Sequence, residues 1–429
     1  MPAPERIRYS LFGFWKGILL GVPLWWVLGL NIGIYHLAAF YLLVTFFLIG
    51  QQSDIALTVP FSFLLLLCLS FTYAFSLFIH FPSAPPIRVL ASSYNLSFWV
   101  VGSILILMIT NCFDLKDIRK WLSIFPYLAS WIGFLGVILG IAKISGIYDM
   151  TFPTPLYGLM QYVGQEILLE KNLIVEPLYR DWINSVLYSR LNLFSPYPTA
   201  TGAVILMVLA MLPAWAKVER KEKSLFYAFL WISNLVALYL TLSRMAIVAL
   251  CVAFLLVFLA HRKKFILWGF LFFLGMVLAA SWIEQFLNWI LTLRENSTFG
   301  RLALYQYTLN QLEGMDWILG LGLKPRETFA FAVPIGSHST YLSLLFKTGY
   351  VGTFVFVVFQ VYLFWRWYRL KGEIIHSQEA RAFWQGAGRV LFGMSMWMLT
   401  EDLDAPQLVC FLYFSVIGML EGLRRQWTA

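Results

Sequence analysis

The stretch KVERKEKSLFYAFLWISNLVALYLTLSRMAIVALCVAFLLVFLAHRKK, residues 217–264, holds two apolar runs, 225–241 and 245–260, with little between them but Arg244. Basic clusters close both ends, KVERKEK before the first run and HRKK after the second. A helix that crosses a bilayer needs roughly 20 mostly apolar residues, and these runs come close to that length. Read as two spans joined by a tight turn, they return the chain to the side it left. Short loops rich in Lys and Arg mark the cytoplasmic side, so both basic clusters lie there. Arg244 is left at the opposite boundary.

The same reading extends in both directions. Further spans are expected at 12–30, 32–49, 57–79, 96–112, 121–142, 197–216, 265–283, 339–365, 382–400 and 405–422, about twelve in all. The break GLNIG at 29–33 leaves the first two open to being one kinked unit. With the N-terminus inside, the inner segments are Arg6 and Arg8, QQSD, DLKDIRK, KVERKEK, HRKK, RWYRLKGEIIHSQEAR and the final RR. All but QQSD are basic and short. The outer side receives two long loops of mixed charge, 143–196 and 284–338, and the acidic EDLD at 401–404. The expectation is a single integral membrane domain over 1–429, an all-α polytopic helix bundle with both termini cytoplasmic and two larger periplasmic loops.

Composition leads to the same place. The chain is 60% apolar and 12% charged, against about 25% charged in soluble domains. A chain of 429 residues does not hide that much apolar surface from water without a second apolar solvent. The net charge of +9 is a topology signal carried by short loops and not a nucleic-acid surface. Four cysteines, Cys68, Cys112, Cys251 and Cys410, form no CxxC pair, which indicates neither a zinc site nor a disulfide framework. No cleavable signal peptide is read at MPAPERIRYS, and no soluble domain, linker or fixed-period repeat stands out.

Within the first outer loop, 156–190 mixes apolar and charged residues at irregular helical spacing, as an interfacial or re-entrant segment does. In the second, 299–320 is more regular: Leu302, Tyr305, Leu309 and Leu312 fall on one helical face. The stretch GMDWILGLGLKP then ends that helix with glycines and a proline.

In so apolar a chain the informative residues are the charges near membrane depth. Four of them are expected at the outer boundary: Arg190 at the end of the first loop, Arg244 in its tight turn, Arg301 at the start of the amphipathic segment, and His338 where the second loop re-enters the membrane. Guanidinium groups match phosphate oxygens with forked donors and stay charged at any working pH. Several of them can hold a diphosphate and stabilise the charge that grows as it leaves, without a metal. A histidine titrates near neutrality and suits the proton of an attacking hydroxyl. Tyr305, Tyr341, Lys324 and Arg326 are the candidate supporting residues. An arginine at such a boundary also snorkels or pairs with an acid as a matter of course. The carboxylates of EDLD are read as marking the outer face and not as a metal site. No cofactor is expected. His36, His80, His261 and His376 are read as structural or surface residues.

Four blocks at these positions carry a family resemblance: SRLNLFSPYPTATGAV (189–204), LTLSRMAIVAL (240–250), GRLALYQYTLNQLEGMDWILGLGLKP (300–325) and GSHSTYLSLLFKTGYVG (336–352). In order and spacing they resemble the O-antigen ligase and O-antigen polymerase superfamily of bacterial envelope glycosyltransferases, over roughly the C-terminal half. Asn192 stands where that family usually has glycine, and Ser195-Pro196-Tyr197-Pro198 replaces its usual Asn-Pro-Asn pattern.

The resemblance implies the C-type glycosyltransferase fold in the bacterial inner membrane, with a metal-independent, inverting active site facing the periplasm. The implied donor is a glycan on undecaprenyl diphosphate. Arg190, Arg244 and Arg301 would contact its diphosphate, and His338 would activate the acceptor hydroxyl. The acceptor is lipid A–core for a ligase, the reading towards which the His338 block leans, or another lipid-linked glycan for a polymerase. A lipid-oligosaccharide transporter or flippase is the alternative of another class. Such a protein places charges at the bilayer midplane, often with internal repeats, whereas these charges gather at one face.

Overall fold

The computed structural model describes residues 3–50, 58–162, 173–183, 186–261, 295–324, 338–373, 377–403 and 407–425. Most of them are helical. Six helices among the described residues are long and apolar enough to cross a bilayer: Phe61–His80, Pro86–Cys112, Leu115–Ile144, Pro198–Val218, Arg244–His261 and Thr340–Gly372. A seventh span arises if Ser10–Leu20 and Val22–Leu28, which meet at 54°, count as one bent unit. That bend resolves the expected 12–30 span into two pieces. Ile34–Leu48, Leu225–Leu240 and Leu408–Leu423 are shorter apolar helices. The expected 382–400 span coincides with the Gln378–Trp397 helix, which is not among the helices apolar enough to count as a membrane span. The expected 265–283 span lies outside the described residues. Exposed apolar side chains such as Leu37, Phe71, Phe78, Phe354 and Tyr239 stud the outer surface, as a protein solvated by lipid requires.

The Pro198–Val218 helix is the axis of the bundle. Nearly all of it is buried, and it packs against the Gln378–Trp397, Arg244–His261 and Ile124–Ile144 helices. Gly202 sets the approach of the Arg244 helix, since a Cβ there would stand 2.9 Å from the Ser243 Cβ and 3.2 Å from that of Ala246.

One expectation is corrected. The first long loop carries a three-stranded antiparallel sheet, β1 Met150–Pro153, β2 Ile174–Ile183 and β3 Val186–Leu191, in the order β1-β2-β3. The described residues are therefore helical with a small sheet, and the segment 156–190 contributes both strand and the short Pro155–Tyr162 helix. Val175, Leu178 and Leu191 supply the sheet's buried side. Pro177 has no N–H to give a ladder. It sits opposite the register shift between the Met150 and Phe152 pairs, where none is required.

A second correction concerns the amphipathic segment. The Glu295–Asn310 helix forms, but among its described side chains the buried ones are Leu304 and Thr308, while Leu302 is 52% exposed. The helix is turned so that Arg301 and Tyr305 face polar partners. The glycine-rich stretch that follows is wedged between two spans: Leu321 N–H donates to the Phe346 carbonyl (2.8 Å) and Gly322 N–H to that of Lys347 (3.0 Å). Gly320 and Gly322 have φ of +73° and +71°. A Cβ on Gly322 would lie 2.6 Å from the backbone of Leu77, and one on Gly320 2.3 Å from that of Lys347.

Gly322→Ala should therefore combine left-handed strain with a backbone overlap, a loss of about 2 kcal/mol or more. Gly146→Ala, with φ of +90° and open space around it, bears the strain alone. Thermal unfolding in detergent should rank Gly322→Ala well below Gly146→Ala; equal midpoints would mean that the wedge is not as tight as described.

Candidate functional site

Arg190 lies in β3 with only 7% of its surface exposed. Its Nε donates to the Thr241 carbonyl at 2.9 Å, which ties the strand to the turn that carries Arg244. The Lys143 ammonium donates to the neighbouring Ser189 carbonyl at 2.8 Å. After β3 the chain is held by Thr201, whose hydroxyl accepts from Leu193 N–H (2.9 Å) and lies 3.1 Å from Asn192 Oδ1. Asn192 thus has a structural use.

The Arg244 turn is closed by Thr241. Its hydroxyl donates to the Leu238 carbonyl (2.7 Å) and accepts from Ser243 N–H (3.2 Å). Leu242 sits at φ +51°. Arg244 feels the charges of both Arg301 and Arg190, so residues from three separate stretches share one electrostatic neighbourhood.

Arg301 is oriented by the loop that EDLD begins. Its Nη1 donates to the Thr400 carbonyl at 3.1 Å and its Nη2 to Glu401 Oε1 at 3.0 Å. The Glu401 carboxylate is nearly buried, while the guanidinium keeps 28% of its surface. Lys324 pairs with Asp402. Thr340 locks the same loop to the helix behind His338: its N–H donates to the Met398 and Glu401 carbonyls (2.9 and 3.0 Å). Its hydroxyl donates to the Glu401 carbonyl (2.8 Å) and accepts from Leu403 N–H (3.0 Å).

His338 adopts φ +65°, and Tyr305 holds it there by donating its hydroxyl to the His338 carbonyl at 2.5 Å. Burial pushes the imidazole below its ordinary 6.5, and the Arg301 charge pushes the same way. Glu401 and Asp402 oppose, and Lys324 adds a smaller downward push. The ring is thus neutral at pH 7 and able to accept a proton.

Non-glycine residues with positive φ are four among the described residues: Phe194, Arg220, Leu242 and His338. Three of these stand in the turns beside Arg190, Arg244 and His338. Such strain persists where the surrounding structure enforces it, and it gathers at functional sites.

Of the supporting candidates, Tyr305 and Lys324 join the cluster. Tyr341 packs into the helix core with its ring edge-on to Phe356 at 5.5 Å. Arg326 and His376 lie outside the described residues. His36 and His80 make local bonds, to Ser97 (2.7 Å) and to the Ser76 carbonyl (2.9 Å). Arg180 pairs with Asp149 on the surface. Among the described residues no group of three His, Cys, Asp or Glu side chains is placed to hold a metal ion.

Sequence reasoning passed over the acids as partners: Glu401 and Asp402 hold two of the cations. The available signal was that the acids and the cations were expected on one face. It also passed over Lys347, a fully buried residue within reach of the Lys324 and Asp402 charges and 5.4 Å from the Tyr73 ring centroid. A single lysine inside an apolar span was its signal.

Residues 227–357 match the O-antigen ligase family model. The matched stretch therefore contains Arg244, Arg301, Tyr305, Lys324 and His338, while Arg190 precedes it and Glu401 and Asp402 follow it. This is consistent with the superfamily that the four sequence blocks resemble, a family of glycosyltransferase-like enzymes. A search of curated proteins finds no match to the chain. The apolar helices, together with the match to the O-antigen ligase family model, describe a multi-pass membrane protein.

Glu401→Gln leaves the shape and removes the charge that Arg301 faces. A charged hydrogen bond of this kind contributes about 1.5–3 kcal/mol. A double-mutant cycle of Glu401→Gln with Arg301→Gln, read by thermal unfolding, should show coupling of that order; additive effects would show that the pair does not orient the arginine.

Proposed function

We propose that this chain is a metal-independent, inverting glycosyltransferase of the inner membrane. It moves a glycan from undecaprenyl diphosphate to an acceptor hydroxyl at the periplasmic face. On this reading the chain crosses the membrane about twelve times, both termini are cytoplasmic, and the loops 143–196 and 284–338 are periplasmic. The supporting observation is the convergence of Arg190, Arg244 and Arg301 from separate stretches, next to a histidine held neutral. Three like charges gathered in a half-buried place raise one another's energy. A diphosphate among them relieves that repulsion, and guanidinium forks fit its oxygens.

The reaction follows from this arrangement. An imidazole nitrogen of His338 accepts the proton of the acceptor hydroxyl. The acceptor oxygen attacks the anomeric carbon from the face opposite the diphosphate. The bond from that carbon to the phosphate oxygen breaks, and its electron pair stays on the diphosphate, where the arginines stabilise it. The products are the glycosylated acceptor and undecaprenyl diphosphate; the proton leaves His338 afterwards. Glu401 and Thr400 keep Arg301 aimed through the cycle.

The ligase reading, with lipid A–core as acceptor, rests on the O-antigen ligase match and on the compact His338 block. Purified protein supplied with a lipid-linked oligosaccharide and two acceptors tests it. Transfer to lipid A–core is expected. Transfer only to a second lipid-linked repeat identifies a polymerase, and movement across vesicles with no bond changed identifies a transporter.

Arg244→Ala and Arg301→Ala should each slow transfer ~100–1000-fold, the usual effect of losing a donor to a developing charge. Lysine at either position should rescue poorly for want of the fork. Full activity in Arg244→Ala removes the arginine clamp.

The lowered pKa of His338 places the acid limb of kcat/KM below pH 6.5. Below that limb the imidazole is protonated and rate is lost; above it rate is level. Because Arg301 contributes to the lowering, Arg301→Gln should move the limb upward while reducing the rate. His338→Ala should slow transfer, remove the limb and spare donor binding. A limb that survives in His338→Ala assigns the base elsewhere.

A further inference from the structure

The two helices joined at the Arg244 turn draw apart towards their other ends. Leu225–Leu240 is held by the Ile124–Ile144 helix: Asn234 donates to the Ala129 carbonyl at 2.8 Å, and a Cβ on Gly133 would stand 2.9 Å from the Ser233 Cβ. Arg244–His261 packs instead against Gln378–Trp397, and it shares few contacts with Leu225–Leu240. The cleft between the two is aromatic. Half-buried Tyr227 and Trp231 stand on one side, with ring centroids 6.4 Å apart, and half-buried Phe254 meets Trp231 edge-on at 5.8 Å from the other.

Arg389, from the Gln378–Trp397 helix, reaches into this cleft. Its guanidinium lies 4.4 Å from the Phe254 ring centroid. A guanidinium carries five N–H donors, and one is engaged here, from Nη1 to the Ala210 carbonyl at 3.3 Å. Nε is buried with no acceptor, and among the described residues no carboxylate pairs with Arg389. Phe254 lies seven residues before His261, about 10 Å along the helix, so this cation belongs to the apolar part of the bundle and not to its rim. Ionised side chains are costly at such depth, and they pair with acids or mark ligand sites. Arg366, near the same end of the bundle, follows the first course, with Glu421 at 3.6 Å. Arg389 does not.

The mouth of the cleft is basic. The turn KVERKEK, 217–223, joins Pro198–Val218 to Leu225–Leu240. It holds four basic residues against two acids, Glu219 and Glu222, a surplus of two positive charges. Lys221 reaches over the Trp215 ring at 5.6 Å. Phe229, Ile232 and Leu255 are exposed on the flanks, as surfaces that meet hydrocarbon are.

We propose that this cleft binds an anionic phospholipid, drawn from the leaflet at the end of the bundle away from Arg244. Its phosphodiester sits on the Arg389 fork, its headgroup lies beside the lysines of the 217–223 turn, and its chains follow the exposed apolar flanks. A phosphodiester supplies the acceptor oxygens that the guanidinium needs. The basic surplus at the mouth selects against headgroups that add an ammonium. The lipid fills the open end of the hairpin whose closed end carries Arg244. The assignment is independent of the reaction proposed above and is tested without it.

The test is native mass spectrometry of the full-length protein in detergent, titrated with phosphatidylglycerol and with phosphatidylcholine of the same chains. Phosphatidylglycerol should bind about tenfold more tightly or better. Arg389→Met keeps the volume and removes the charge. It should weaken phosphatidylglycerol about tenfold or more, the effect of losing one charged hydrogen bond, and bring it to the level of phosphatidylcholine. Arg389→Lys should fall between, since the charge stays and the fork goes. If Arg389→Met does not fold, Lys217→Gln with Lys221→Gln at the mouth carries the test and should narrow the preference severalfold. A phosphatidylglycerol with a diazirine beside its headgroup should label peptides within 215–231 and 250–260. Equal binding of the two lipids, binding unchanged in Arg389→Met or in the lysine pair, or labels elsewhere overturn the proposal. Displacement of the lipid by millimolar inorganic phosphate also overturns it, since it would identify a site for free anions.

Discussion

The candidate site depends on one ion pair, that of Arg301 with Glu401. Arg301 lies in the Glu295–Asn310 helix, which shares few contacts with the bundle among the described residues, and Glu401 follows the buried Gln378–Trp397 helix. The guanidinium fork spans the Thr400 carbonyl and the Glu401 carboxylate, so a planar donor pair is fixed in direction as well as in place. Thr340 ties the same loop to the helix that follows His338, and Tyr305, one helical turn after Arg301, fixes the His338 carbonyl. Through that pair the histidine, the arginine and the two helices behave as one unit. Lys324 and Asp402 add a second hold at the far end of the segment.

Near a bilayer such holds are needed for a physical reason. An arginine at the lipid boundary will snorkel to water unless something stronger engages it. Arg190 is engaged by the Thr241 carbonyl and Arg301 by Glu401. Arg244 is confined by a turn too tight to let it travel. The left-handed residues Phe194, Leu242 and His338 stand in the turns that carry the same cluster. On the proposed function, gathering cations in this way favours an anionic headgroup, and the neutral histidine beside them serves as the base.

Six of the expected spans were legible as helices long and apolar enough to cross a bilayer, because length and hydrophobicity are properties of contiguous sequence. The runs at 225–241 and 245–260 appear as Leu225–Leu240 and Arg244–His261, and Arg244 stood out because no loop separates them. The sheet was not legible. Its strands mix charges with apolar residues, Pro177 interrupts the central strand, and its pairing partners lie far apart in sequence. The facing of the Glu295–Asn310 helix was misread for a related reason. Periodicity assigns apolar residues to the inside, yet Leu302 is exposed and Arg301 turns inward because its partner, Glu401, lies in a distant segment. The acids of EDLD were visible as charges but not as partners, because pairing is a fact of three dimensions.

The most direct measurement of the central claim is a cryo-EM structure of the protein with an isoprenyl diphosphate bound. The account predicts diphosphate density within hydrogen-bonding distance of Arg190, Arg244 and Arg301, with the His338 ring open to the space beside its terminal phosphate. Diphosphate density elsewhere, with these four side chains facing lipid or the cytosol, would contradict it.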